Sequence, residues 1–310
     1  MKNIKKSSLI LSILSMLTLF TSANAEIKVV TSIKPIHSLA SYLMDGIGKP
    51  GIIVDGNASP HSFSMKPSHA KMLQNADIVF WVGEGMENFL KKPLSSIAKK
   101  AKKIELMEVK ELNVLKFRER NIFDDHNHDD HAKKEDDHDG HVHGIYDSHI
   151  WLDPMNAKVI LNEMAEHLIE KDTENASKYK NNLKKALKEI DTLIIQVMTE
   201  LNKSVSSIVF HDAYQYFEQR FNVNILGAFT VNPDIMPGAE QLAEIREIIE
   251  HEKVTCIFSE PQFNPDIIKA VAKDMKIKTG VLDPLGATLD PGKNLYFDLI
   301  KNMSLSFKDC

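Results

Sequence analysis

The sequence predicts an α/β protein of two lobes, each a parallel sheet flanked by helices, joined by one long helix with a cleft between the lobes. Three observations carry this. Short β-branched or apolar runs alternate with segments of helical periodicity at both ends of the chain, the pattern of parallel strands covered by helices. A Lys/Glu-rich amphipathic stretch separates the two alternating regions. And 310 residues, 43% of them hydrophobic, exceed the usual size of one core.

Residues 1–25 stand apart from the fold. Lys2, Lys5 and Lys6 precede the apolar run LILSILSMLTLF (9–20), and small residues follow, ending Ala23-Asn24-Ala25. This is the layout of a secretory signal peptide cleaved after Ala25. The run is shorter than the roughly 20 apolar residues of a spanning helix, and no cysteine stands near the cleavage point to carry a lipid. The expectation is an exported, soluble protein of the periplasm.

IKVVTSI (27–33) reads as a strand feeding, through Pro35, a helix in HSLASYLMDGIG. GIIVDG (51–56) is a second strand, and Pro67 through Asn75 a short helix opened by Pro67-Ser68. ADIVFWVG (76–83) is the near-continuous apolar run of a strand buried on both faces, and KKIELME (102–108) is a weaker fourth. Helical periodicity fills 156–171, and Asp172 to Ser177 offers a break. A long amphipathic helix over 174–203 then carries Leu183, Leu187, Ile190, Ile194 and Val197 on one face. A helix of about 30 residues is about 45 Å long, enough to span two domains. Strand and helix then alternate again through SSIVF, DAYQYFEQRF, NILGAF, AEQLAEIREIIEHE, VTCIFSE, PDIIKAVAKDMK and KTGVLD. The expected division is an N-terminal lobe over 26–155, a linking helical segment over 156–203 and a C-terminal lobe over 204–310.

The formal charge of −5 is spread over both signs and gives no basic face for nucleic acid. Cys256 and Cys310 are the two cysteines. In an oxidising compartment they favour one disulfide tying the C-terminus to an interior position. A thiolate metal site is the rival reading, made weak by their distance apart.

Histidine is concentrated in one place. Seven of the thirteen lie in DDHNHDDHAKKEDDHDGHVHGIYDSH (124–149), among nine carboxylates. Residues 124–143 lack apolar periodicity and cannot bury enough surface to offset the entropy of ordering, so the sequence predicts a loop there. Its histidines, His126, His128, His131, His138, His141 and His143, are expected to bind zinc weakly, because ordering the chain subtracts from the binding energy. An ordered site needs ligands on rigid elements. His61 in SPHSF, His211 in VFHDAY and His149 in SHIWLDP stand at strand–loop boundaries or where ordered sequence resumes, and open α/β sheets gather ligands beyond strand ends. Any one alone reads as a surface or capping histidine; three, from both lobes, point to a shared metal site in the cleft. His167 and His251 read as solvated and His69 as structural, and His37 is left open.

Five segments, SPHSFSMKPSHAKMLQNADIVFWVGEGMENF, SHIWLDPMNA, VFHDAYQYFEQRFNV, FSEPQFNP and VLDPLG, resemble in order those of the metal-binding receptors of zinc and manganese ABC transporters, the cluster A-I solute-binding proteins. The resemblance covers essentially the whole chain after residue 25 and is strongest to the periplasmic zinc binders. It implies His61, His149 and His211 as metal ligands, with Asp283 or water as the fourth. Zinc members often place a glutamate before the first histidine; Pro60 stands there in this chain, which shifts the weight to Asp283 or water. Glu260 is implied as an acceptor orienting an imidazole. Three imidazoles and at most one carboxylate suit zinc better than manganese. The implied role is a monomeric receptor delivering Zn²⁺ to a membrane permease with its ATPase, not an enzyme. The alternatives are a manganese or broader divalent-metal receptor, an adhesin, or a zinc buffer. A zinc hydrolase is disfavoured, since His251-Glu252 is followed by Thr255 where H-E-x-x-H needs its second histidine, and no G-x-S-x-G or P-loop occurs.

Overall fold

The computed structural model describes residues 26–310 except 119–121, 123–144, 202–203 and 234. The signal-peptide expectation for 1–25 and the six histidines from His126 to His143 lie outside the described residues. The first sheet is built from β1 (Val29–Thr31), which leads into α1 (Lys34–Leu43), then β2 (Gly51–Ile52), α2 (Pro67–Gln74), β3 (Ile78–Trp81), α3 (Lys91–Ser96) and β4 (Lys102–Glu105). Its strands are all parallel, in the order β2-β1-β3-β4. β1 and β3 are buried at every position, which is why both read as unbroken apolar runs rather than as alternating ones. The strands are shorter than their apolar runs, although Ile53 and Val54 continue to donate to Thr31 and Ser32 carbonyls past the end of β2.

Helix α4 (Pro154–Lys171) is capped by Asp153, which accepts from the Met155 amide at 2.8 Å, with Pro154 in the first turn where its missing N–H is not needed. After the break at Asp172 comes the long helix α5 (Ala176–Glu200). At 1.5 Å per residue it runs about 38 Å. Its buried stripe is Tyr179, Asn182, Ala186, Ile190, Leu193 and Val197, so Leu183, Leu187 and Ile194 flank the stripe rather than form it. Asn182 is buried because its amide donates to the Leu43 and Asp45 carbonyls, satisfying groups that α1 leaves unpaired at its end.

The second sheet repeats the first. It comprises β5 (Ser206–His211), α6 (Gln215–Phe221), β6 (Asn224–Thr230), α7 (Ala239–His251), β7 (Cys256–Ser259), α8 (Asp266–Met275) and β8 (Lys278–Val281). These strands too are parallel, in the order β6-β5-β7-β8. The chain ends in α9 (Leu295–Asp309), an element the sequence reading left unassigned. Its buried Leu295, Leu299, Met303 and Phe307 recur every four residues, so the signal was present. α9 packs on α1 and α5 as well as on β8, and Phe307 stacks on Phe217 and meets Phe258 edge-on. Its last residue, Cys310, is disulfide-bonded to Cys256 in β7.

One hydrophobic core runs through both lobes, with a smaller one confined to the second. Polar contacts add to this weld. Trp151, fully buried, donates from its indole to the Pro284 carbonyl at 2.7 Å, and Tyr296 of α9 donates to the Trp151 carbonyl at 2.9 Å. Arg220 of α6 meets the buried Asp153 carboxylate with two bonds of 2.6 and 2.7 Å, the bidentate geometry that makes such pairs strong. None of the described helices is long and apolar enough to cross a membrane.

Candidate metal centre

The site is assembled where the two lobes meet. His211 is the last residue of β5, a strand interior to its sheet, and the neighbouring β7 ends one residue before Glu260. Adjacent parallel strands therefore deliver an imidazole and a carboxylate side by side, and His211 Nδ1–H donates to Glu260 Oε1 at 2.6 Å. His149 stands just before the one-turn 3-10 helix Ile150–Leu152 that leads into α4. Asp147 folds back on it, its Oδ1 accepting from the His149 amide at 2.9 Å and from Nδ1–H at 2.7 Å. Tyr216 and Gln215 of α6 hold Asp147 from the other lobe: Tyr216 donates to its main-chain carbonyl at 2.6 Å and Gln215 to Oδ2 at 3.2 Å. His61 comes from the irregular segment between β2 and α2 and is partly exposed, whereas His149 and His211 are buried.

The three rings converge. Their centroids are 5.7, 5.9 and 5.3 Å apart for His61–His149, His61–His211 and His149–His211. Each offers a ring nitrogen, and these nitrogens all lie within 4.8 Å of one another. For His149 and His211 the carboxylate partners fix the proton on Nδ1, which leaves the Nε2 lone pairs to face each other at 3.4 Å. A proton shared across that contact, or one metal ion bound by both nitrogens, satisfies the pair.

Burial, reinforced by the charge of His211, holds His149 well below the ordinary histidine range. Burial would lower His211 as well, but the carboxylates around it, Glu260 first and then Asp212 and Asp147, together outweigh it and its pKa is raised. Burial likewise pushes Asp147 up to about 7 against the hydrogen bonds it accepts, and Asp212 to about 7 despite the Arg118 guanidinium at 3.1 Å. The cavity between the imidazoles, about 10 Å³, is walled by Pro60, Met86, Trp151, Phe263 and Leu285. A small space with three convergent imidazoles and largely apolar walls suits a borderline-soft divalent cation.

His61, His149 and His211 are brought together; Asp283 is not in the group. Its carboxylate accepts from the Gln262 amide at 3.0 Å, the Leu285 N–H at 3.2 Å and the Thr288 N–H at 3.3 Å, which ties it into its own loop. His37 is buried elsewhere, against the Pro50 carbonyl at 3.2 Å. His69 accepts from the Lys66 amide at 3.2 Å and stacks on Phe63. His251 is exposed at the end of α7, whereas His167, expected to be solvated, is largely covered and bonded to Glu163 at 2.8 Å. Asp147 was missed. It lies at the end of an acidic run, where one more carboxylate attracts no notice, and only its position two residues before His149 could have singled it out.

The family model for the periplasmic zinc-uptake complex component A, ZnuA, matches residues 29–310. The high-affinity zinc uptake system protein ZnuA of Brucella abortus is 42% identical over 303 residues, covering 91% of each chain. The protein of the same name from Yersinia pestis is 36% identical over 313 residues, covering 98% of this chain and 97% of its own. Among solved structures, a zinc-bound ZnuA deletion mutant superposes with a TM-score of 0.74 at 22% identity, over 92% of this chain and 97% of that one. A mutant of the laminin-binding adhesin Lmb of Streptococcus agalactiae superposes at 0.73 and 24% identity, over 91% and 98%. At these identities the structures attest the fold alone.

Proposed function

The chain belongs to the ZnuA family of periplasmic zinc-uptake components, and from that premise we propose that it is the receptor that binds Zn²⁺ between its lobes and delivers it to an ABC permease and its ATPase. His61, His149 and His211 hold the ion. The observation that carries this reading is the convergence of three imidazole nitrogens from both lobes, with Asp147 and Glu260 orienting the buried two. Carboxylates placed behind ligating histidines fix the tautomer and raise the basicity of the ligand. The absence of a carboxylate from the group, among the described residues, favours zinc over manganese, which prefers more oxygen ligands.

Residues 1–25 serve as the export signal, cleaved after Ala25, and the mature protein acts as a periplasmic monomer that catalyses nothing. The histidines between His126 and His143 collect zinc at lower affinity than the triad, so deletion of 124–143 lowers the metal stoichiometry and leaves one tight site. The role is tested by growth under zinc chelation. A strain lacking the gene stops growing, recovers with added zinc or with the intact gene, and does not recover with a His211→Ala copy. Unimpaired growth of the deletion strain would contradict an import role.

A further inference from the structure

Gln262 lines the same cavity as the three histidines. Its amide nitrogen donates to Asp283 Oδ1 at 3.0 Å. A carboxylate only accepts, so this contact selects the NH₂ end of the amide and settles which way the group points. The other end, Oε1, is buried and has no hydrogen-bond partner among the described residues. A buried carbonyl without a partner is costly, by about 1–3 kcal/mol, and such an atom at a ligand site asks what it is kept for.

Asp283 is built to hold that amide. Leu285 N–H shares Oδ1 with Gln262, while the amide and hydroxyl of Thr288 approach Oδ2 at 3.3 and 3.4 Å. The loop that wraps Asp283 is fastened to the other lobe by Lys34, a buried lysine whose ammonium donates to the Ala287 and Leu289 carbonyls at 2.9 and 2.7 Å. Both oxygens of Asp283 are thus engaged in a loop that is itself tethered, whereas Gln262 has its oxygen to offer.

We propose that Gln262 is a specificity-determining residue of the metal site: its side-chain carbonyl, oriented by Asp283, is the oxygen that meets the fourth position of the bound ion, and Asp283 acts through it rather than as a ligand. This rests on the zinc-receptor reading. A neutral oxygen beside three neutral imidazoles adds no negative charge to attract hard cations, and it leaves the ion less tightly held than a carboxylate would, as suits a cargo that must be released.

The test is a double-mutant cycle on the full mature chain, with zinc affinity read by competition against a chromophoric chelator and the coordination sphere read from the visible absorption of bound Co²⁺. Gln262→Leu weakens zinc by about 10-fold or more, the range found when a group supporting a metal ligand is lost, and alters the Co²⁺ spectrum. Asp283→Ala weakens it by no more than that, and adding Asp283→Ala to Gln262→Leu costs little further. Gln262→Glu paired with Asp283→Asn, which keeps an oxygen on the site and a donor behind it, retains tight binding and separates loss of the oxygen from loss of fold. The proposal is overturned if Gln262→Leu binds zinc and Co²⁺ as the wild type does, if the Gln262→Glu/Asp283→Asn pair binds as weakly as Gln262→Leu, or if Asp283→Ala costs as much in the Gln262→Leu background as alone. His211→Ala is run alongside: wild-type zinc binding by that variant would sink the triad itself, whatever Gln262 does.

Discussion

His149 and His211 are buried, each with a carboxylate on Nδ1, and His149 lies in a segment that Tyr216, Gln215, Arg220 and Tyr296 pin from the far side of the interface. His61 sits on an irregular loop and is partly exposed. One side of the metal centre is therefore part of the weld between the lobes, and the other is carried by a loop. The difference teaches which part of the site is preorganised. Two of the proposed ligands form a seat braced by carboxylates, and the third, His61, meets them from an irregular loop. Wide hinge bending between the lobes is not needed, because a core shared by both lobes resists it.

The largest effect should come from removing the seat. His149→Ala or His211→Ala is expected to weaken zinc by more than about 100-fold, beyond the range for losing a supporting group. His211→Ala also takes the ring donor from the buried Glu260 Oε1, lowering metal-free stability by about 1–3 kcal/mol in a denaturant melt, whereas His149→Ala leaves Asp147 Oδ1 its main-chain donor and costs less. His61→Ala should weaken zinc too but leave the metal-free melt unchanged. If all three variants shift the melt equally, the contrast between seat and loop fails.

Next come the carboxylates behind the seat. Asp147→Ala should cost about 10–100-fold in zinc affinity by chelator competition, as the His149 ring loses its fixed tautomer. Wild-type affinity in that variant would show that burial alone orients the ring.

The effect of pH is smaller and has a definite sign. Because the folded pKa of His211 is raised above 6.5, the metal-free site holds a proton at pH values where an ordinary histidine has lost it. That proton contributes stability to the metal-free fold which is fully present below 6.5 and fades as pH rises through the raised value. Zinc must displace it, so apparent affinity falls as pH drops through that value, by up to about tenfold per unit for one proton. A titration repeated across pH 5.5–8.5 checks the direction, and flat affinity would contradict it.

The smallest effect on zinc is expected from the disulfide. Cys310→Ser opens a loop with a sequence separation of 54 and should cost about 4 kcal/mol of stability by the chain-entropy model, with zinc affinity little changed.

Most of the architecture was legible because its signals are local. Continuous apolar runs announced β1 and β3, and periodicity announced α4 and α5. The convergence of His61, His149 and His211 was approached through the expected strand ends at His61 and His211 and the return of ordered sequence at His149, although only His211 ends a strand in the structure, and the family resemblance of FSEPQF and VLDPLG pointed to Glu260 and Asp283. What was not legible depends on side-chain direction. Nothing in the chain's order tells that Asp147 turns back onto His149, that Asp283 spends its oxygens on Gln262, Leu285 and Thr288, or that Tyr216 reaches across the interface. Such contacts are set by packing between elements far apart in sequence, and periodicity carries no record of them.

The central claim is that one zinc ion sits among His61, His149 and His211, on a seat formed before it binds. A zinc-edge anomalous difference map from crystals of the mature protein tests it most directly. The account predicts one dominant peak within bonding distance of the three imidazole nitrogens, with His149 and His211 placed as in metal-free crystals. A dominant peak anywhere else, or a seat that forms only with the metal, would contradict it.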